Sequence, residues 1–168
     1  MYTLLNNLIK IIMLTLFLFI ISGCATGQTF LSPKNISKDK STVYFYAPLV
    51  LYGAAVYYDI NITNKKNTQL HQAKLENNGY LKYNLTKGQY TINVKLDLPN
   101  ILYFHDIIDF FGTYKDYSIK VNITNNTLYC YKFHFKHVAL NSVIPTIMKI
   151  EKEECLDDLS TKKESVYY

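Results

Sequence analysis

AAVYYDINIT, residues 54–63, sets Ala54, Val56, Tyr58, Ile60 and Ile62 against Ala55, Tyr57, Asp59, Asn61 and Thr63. A period of two places the first set on one side of an extended chain and the second on the other, as a half-buried strand requires. The pattern recurs where Tyr90, Ile92, Val94 and Leu96 alternate with Thr91, Asn93 and Lys95, and where Tyr117, Ile119, Val121 and Ile123 alternate with Ser118, Lys120 and Asn122. Shorter strands read at 43–46, 69–75, 80–85, 128–136 and 145–150, separated by Asn- and Gly-bearing stretches at 64–67, 77–79, 87–88 and 125–126. Those residues tolerate positive φ and close hairpins. About seven or eight short strands at this spacing predict an all-β fold, an antiparallel β-sandwich or a small barrel, of which the sandwich is the expected form. No internal repeat points to a solenoid.

Composition narrows the class. The chain has 168 residues, 49% hydrophobic and 18% charged, which suits one globular domain and excludes a disordered chain. All 18 basic residues are Lys, so the planar, bidentate grip of Arg on phosphate is missing and a nucleic-acid partner is not expected. Residues 24–150 carry 14 Lys and 7 acids, whereas residues 151–168 carry 3 Lys and 6 acids. Such an asymmetry suits either an anionic surface or plain solvation.

The N-terminus specifies location. Lys10 precedes the apolar run IIMLTLFLFII at 11–21. At about 1.5 Å per residue the run reaches roughly half of a ~30 Å hydrocarbon core, so it reads as the apolar region of a signal peptide and not as a span. Ile21-Ser22-Gly23-Cys24 then resembles a bacterial lipobox: an aliphatic residue, two small residues that fit a protease cleft, and a thiol that accepts diacylglycerol. The expected organisation is a lipoprotein signal peptide at 1–23, a flexible tether at 24–41, a β-sandwich domain at 42–158 and a C-terminal tail at 159–168. Acyl chains on Cys24 anchor the chain to the membrane without spanning it. By resemblance to bacterial lipoproteins, Ala25 after the cysteine implies the outer membrane, with the domain facing the periplasm, in a host that has one. Extended, the tether could reach about 50 Å.

The mature region also resembles a family. STVYFYAP at 41–48, YGAAVYYDINI at 52–62, NNGYLKYNLTKGQYTINV at 77–94, TLYCYKFHF at 127–135 and the acidic segment after IMKIE are similar to the small lipoprotein domain of unknown function 2846. The residues that carry the likeness are Tyr44, Tyr46, Pro48, Gly79, Tyr80, Gly88, Tyr90, Tyr129 and Tyr131. The chain departs from the family at Ala47, where Arg is common, and over 98–114. The resemblance implies a periplasm-facing β-sandwich lipoprotein, and it brings no enzymatic residue with it.

Chemistry is sparse. His134 and His137 are three apart, so on a strand they point to opposite faces, and with His71 and His105 they suggest no metal site. No nucleophile elbow or phosphate loop is present, and neither an enzyme nor a cofactor is expected. On 127–137, Tyr129, Tyr131, Phe133 and Phe135 share one face, which packs in the core or, if exposed with Tyr57 and Tyr80, forms a stacking surface for glycan. The leading function is a non-catalytic structural or protein-interaction module with an envelope protein partner. The alternative is a carbohydrate- or cell-wall-binding module.

Cys130 and Cys155 would share an oxidising compartment in an exported chain, where a disulfide is one outcome. The other is a buried Cys130, inward like Leu128, with Cys155 unpaired. Finally, LPNILYFHDIIDFFGTY at 98–114 spaces its apolar residues by three and four between Pro99 and Gly112, which predicts one short amphipathic helix. It either completes the core or exposes Ile107, Ile108, Phe110 and Phe111 as a docking patch.

Overall fold

In a computed structural model the chain is an all-β sandwich with one complete helix among the described residues. The structure describes residues 10, 27–33, 37–49, 57–97, 116–139 and 142–167. Eight main strands are β1 (Lys40–Tyr46), β2 (Tyr57–Asn64), β3 (Gln69–Leu75), β4 (Gly79–Thr86), β5 (Gly88–Asp97), β6 (Tyr117–Ile123), β7 (Leu128–Ala139) and β8 (Ser142–Ile150). Helix α1 (Lys152–Ser160) and two short strands, β9 (Lys163–Glu164) and β10 (Val166–Tyr167), follow. The first sheet runs β8-β7-β1-β4-β9 and the second β10-β3-β2-β5-β6.

Alternation builds the space between them. Tyr58, Ile60 and Ile62 of β2, and Tyr90, Ile92 and Val94 of β5, meet Val43 and Phe45 of β1, Leu81, Tyr83 and Leu85 of β4, and Tyr129, Tyr131 and Phe133 of β7. Tyr129, Tyr131 and Phe133 of the aromatic row of β7 are therefore core. Phe45 stacks on Tyr131 at 5.4 Å between centroids and meets Tyr83 and Phe133 edge-on at 6.0 and 6.3 Å.

The turns follow the Asn chemistry. Asn67, Asn78 and Asn126 have φ of 58°, 56° and 55°, in the left-handed region that Asn tolerates best after Gly. Asn64 Oδ1 accepts from the backbone N–H of Lys66 at 2.9 Å and of Thr68 at 3.0 Å, closing the β2–β3 turn. The β6–β7 turn is tied to β1 by buried Ser41, whose hydroxyl donates to the Thr124 carbonyl and accepts from the Thr127 N–H at 3.0 Å.

Three points go beyond the expected sandwich. Two pairings are parallel, β1 with β7 and β4 with β9, because only neighbours in sequence are fixed by hairpins and these partners arrive from far along the chain. The described helix lies in the acidic segment at 152–160, while the expected one at 98–114, including Ile107, Ile108, Phe110 and Phe111, lies outside the described residues. The segment expected as a tail forms β9 and β10, one in each sheet, with Ser165 at the crossing.

Phe45→Ala removes an aromatic that is fully buried between the sheets. It should cost about 3–5 kcal/mol, read as a lowered midpoint of urea unfolding with unchanged slope.

Candidate functional site

A connected set of charged and polar side chains gathers on the outer face of the first sheet, beneath α1. Parallel register sets Tyr44 beside Cys130 and Tyr46 beside Lys132. Since Val43 and Phe45 face the sandwich core, Tyr44 and Tyr46 must face outward, and so must Cys130 and Lys132 between the inward Tyr129, Tyr131 and Phe133. On α1, Cys155, Asp158 and Leu159 are three and four residues apart and so share one side. Glu153 and Glu154 in the first turn favour the positive end of the helix dipole.

Helix and sheet meet through three contacts in a row. Cys130 and Cys155 are joined by a disulfide with Cα atoms 6.0 Å apart, across a sequence separation of 25. Lys132 Nζ donates to Asp158 Oδ2 at 2.7 Å. Tyr46 Oη donates to the same oxygen at 2.9 Å. Burial alone would raise the Asp158 carboxyl, but the hydrogen bonds from Lys132 and Tyr46, with the charges of Lys132 and Lys162, hold it below the usual carboxylate range. Burial and then the Asp158 carboxylate push the Tyr46 hydroxyl far up. Lys162, itself buried, is lowered mainly by that burial, and its Nζ donates to Asn78 Oδ1 at 3.2 Å. A neutral tyrosine, a carboxylate held ionised and a lysine bound to it form a clamp.

Next to the clamp lies an aromatic cluster of Phe30, Tyr44 and Tyr80, all edge-on, at 5.4, 5.6 and 6.1 Å. Burial, with the Tyr80 and Glu164 charges behind it, pushes the Tyr44 hydroxyl up to about 12. Phe30 belongs to the segment expected as a tether. Its docking had one sequence signal, an isolated large aromatic in a polar stretch. The clamp also escaped sequence reading, although the spacing of Cys155, Asp158 and Leu159 and the outward parity of Tyr44 and Tyr46 would have suggested it.

The second sheet differs. Asn61, Thr63, Thr91, Asn93, Lys95, Ser118, Lys120 and Asn122 point outward, and no described element covers them. At one end of this face a shallow groove of about 450 Å³ lies among Asn64, Lys65, Asn67, Gln89, Lys120 and Asn122.

The described candidates are dispersed, while His105 and the side chain of His137 lie outside the described residues. His71 of the second sheet, lowered by burial, packs on the Tyr83 ring of the first at 4.8 Å. His134 meets Thr146 Oγ1 at 2.9 Å in the first. Among the described residues no three metal-ligating side chains converge. Tyr80, Tyr129 and Tyr131 are buried, and Tyr57 is half-buried under Lys74 Nζ at 4.6 Å, so these rings do not form the open stacking platform of a glycan binder. Cys24 lies outside the described residues. No protein-family model and no curated protein matches the chain.

Two measurements test the clamp. Cys155→Ala should lower unfolding stability by about 2–4 kcal/mol in a denaturant titration, by releasing the loop that the disulfide closes. The Asp158 carboxyl is depressed on folding, so its contribution is complete above its unfolded value of about 4 and is lost as pH falls through the lower folded value. Asp158→Asn should therefore be less stable than the parent at neutral pH, with the gap closing below about pH 4 in thermal melts.

Proposed function

We propose that the chain is a bacterial envelope lipoprotein. On this reading the signal peptide at 1–23 is removed, Cys24 is acylated, and a non-catalytic β-sandwich is held at the membrane, facing the periplasm from the outer membrane, to engage an envelope protein. The likeness of residues 42–158 to the lipoprotein domain of unknown function 2846 belongs to the same reading.

The observation that carries it is the division of labour among three cysteines. Cys130 and Cys155 share a disulfide, a bond that persists in oxidising compartments outside the cytoplasm, and Cys24 is the residue that the lipobox-like sequence reserves for acylation. A holding role is supported by how the ionisable groups are used. Asp158, Lys132 and Tyr46 bind one another beneath α1, with the tyrosine hydroxyl pushed away from ionisation.

Mass spectrometry of the native N-terminal peptide tests the anchor. The expected species begins at Cys24 and carries acyl chains, and Cys24→Ala abolishes both processing and membrane attachment. A chain without acyl groups that begins elsewhere contradicts the reading.

For the partner, the segment at 98–114 supplies the candidate surface. Replacing Phe110 and Phe111 with Ser separates the two readings of that segment: an unchanged melting temperature with loss of the envelope complex from membranes solubilised with the lipid intact assigns docking. A clear loss of thermal stability would instead assign these rings to the core.

A further inference from the structure

Residues 27–30, a few positions after Cys24, are part of the folded domain, and this limits where the domain can sit. Phe30 N–H donates to the Lys162 carbonyl at 3.1 Å, and Glu164 N–H donates to the Gln28 carbonyl at 2.8 Å. These two bonds flank the antiparallel bridge of Thr29 with Lys163. Ser165 N–H, on the other side of the same strand, donates to the Tyr80 carbonyl at 2.8 Å. Residues 28–30 therefore extend the first sheet beyond β9 as a further short strand. Phe30 fixes it from the side chain, edge-on to Tyr44 and Tyr80. Gly27 fixes it from the backbone, since a Cβ at that position would overlap the Glu164 carbonyl.

Only three residue steps separate Cys24 from Gly27, and a chain spans at most about 3.6 Å per residue, so they reach no more than about 11 Å. This is a fifth of the roughly 50 Å that a free segment from 24 to 39 would allow. We infer that the acyl anchor holds the sandwich edge-on against the lipid headgroups, with the edge formed by residues 27–31 and 162–164 facing the bilayer and the β6/β8 edge facing away. The inference rests on the lipoprotein reading and adds the membrane-facing surface to it.

The chemistry of that edge fits a bilayer surface. Leu31, one residue beyond the docked Phe30, is 79% exposed, the largest exposure among the described large apolar residues. Lys163, whose bridge partner is Thr29, is also exposed and suits an anionic headgroup. The opposite edge is well removed. Four strand spacings of about 4.8 Å separate β9 from β8 across the first sheet, or about 19 Å. In the second sheet β10 and β6 are likewise at opposite edges, and β6 is the neighbour of β8.

Fluorophores attached to Lys163→Cys and, separately, Lys120→Cys in the acylated full chain provide the test. The proteins are reconstituted into phosphatidylethanolamine–phosphatidylglycerol vesicles that carry a headgroup nitroxide quencher. Quenching at position 163 should exceed that at position 120 at least threefold. Inserting about twelve Gly and Ser residues between positions 26 and 27 lengthens the leash without touching the docked strand, and should bring the two values together. Gly27→Val, which expels the docked strand, should do the same while circular dichroism and the Cys130–Cys155 disulfide report an intact sandwich. Equal quenching in the parent, or a difference unchanged by the inserted linker, overturns the orientation. The N-terminal mass of the same samples separates the two failures. Acylated protein with equal quenching overturns the orientation alone, whereas an unacylated Cys24 removes the lipoprotein reading and the orientation together.

Discussion

Burial of β1 on both faces is the constraint on which the rest of the structure depends. Residues 41–47, from Ser41 to Ala47, are all buried, although the strand belongs to a two-sheet sandwich in which one face of each sheet would ordinarily meet water. Val43 and Phe45 are covered by the second sheet. Tyr44 and Tyr46 need a second cover, which α1 and Phe30 supply. The result is three layers, with the acidic helix and the N-terminal segment as the outermost. Full burial of a large side chain contributes about 1.5–3 kcal/mol, so leaving both tyrosines uncovered would cost much of a typical domain's net stability.

That outer layer collects the long-range connections of the chain. The disulfide joins β7 to α1, Asp158 receives Lys132 and Tyr46, and Lys162 reaches Asn78 at the β3–β4 turn. Immediately after the helix the chain passes through β9 and β10, so each sheet gains a short edge strand from the same segment. Residues 28–30 then pair with β9 from outside. Residues 28–30 and the C-terminal strands β9 and β10 are thereby held to one edge, opposite the edge made by β6 and β8. An exposed strand edge invites pairing with other chains, and on the β9 side the protein's own N-terminal segment occupies it.

The parts legible in the sequence were those governed by local chemistry. Alternation at 57–63, 90–96 and 117–123 located the strands whose outer faces are solvated, and Asn at 67, 78 and 126 marked turns because its side chain tolerates positive φ. Less was legible where a strand has two covered faces. VYFY at 43–46 reads as a short apolar run without alternation, which parallel or doubly covered strands share. The parallel pairing of β1 with β7 has no local signature. Helix α1 buries only Cys155 and Leu159 and, Leu156 apart, is otherwise polar, so its periodicity is too thin to detect without the sheet beneath it. The docking of residues 28–30 depends on β9, which is two residues long and was itself invisible as a strand.

The most direct measurement of whether this outer layer belongs to the fold is native-state hydrogen exchange at the amides of Phe30 and Glu164, whose bonds join the N-terminal segment to β9. Protection within about tenfold of that at Val43 and Phe45 of β1 is the predicted result, because Phe30 covers the same strand that those residues anchor from within. Exchange at the rate of an unstructured chain at both amides, with β1 still protected, would contradict it.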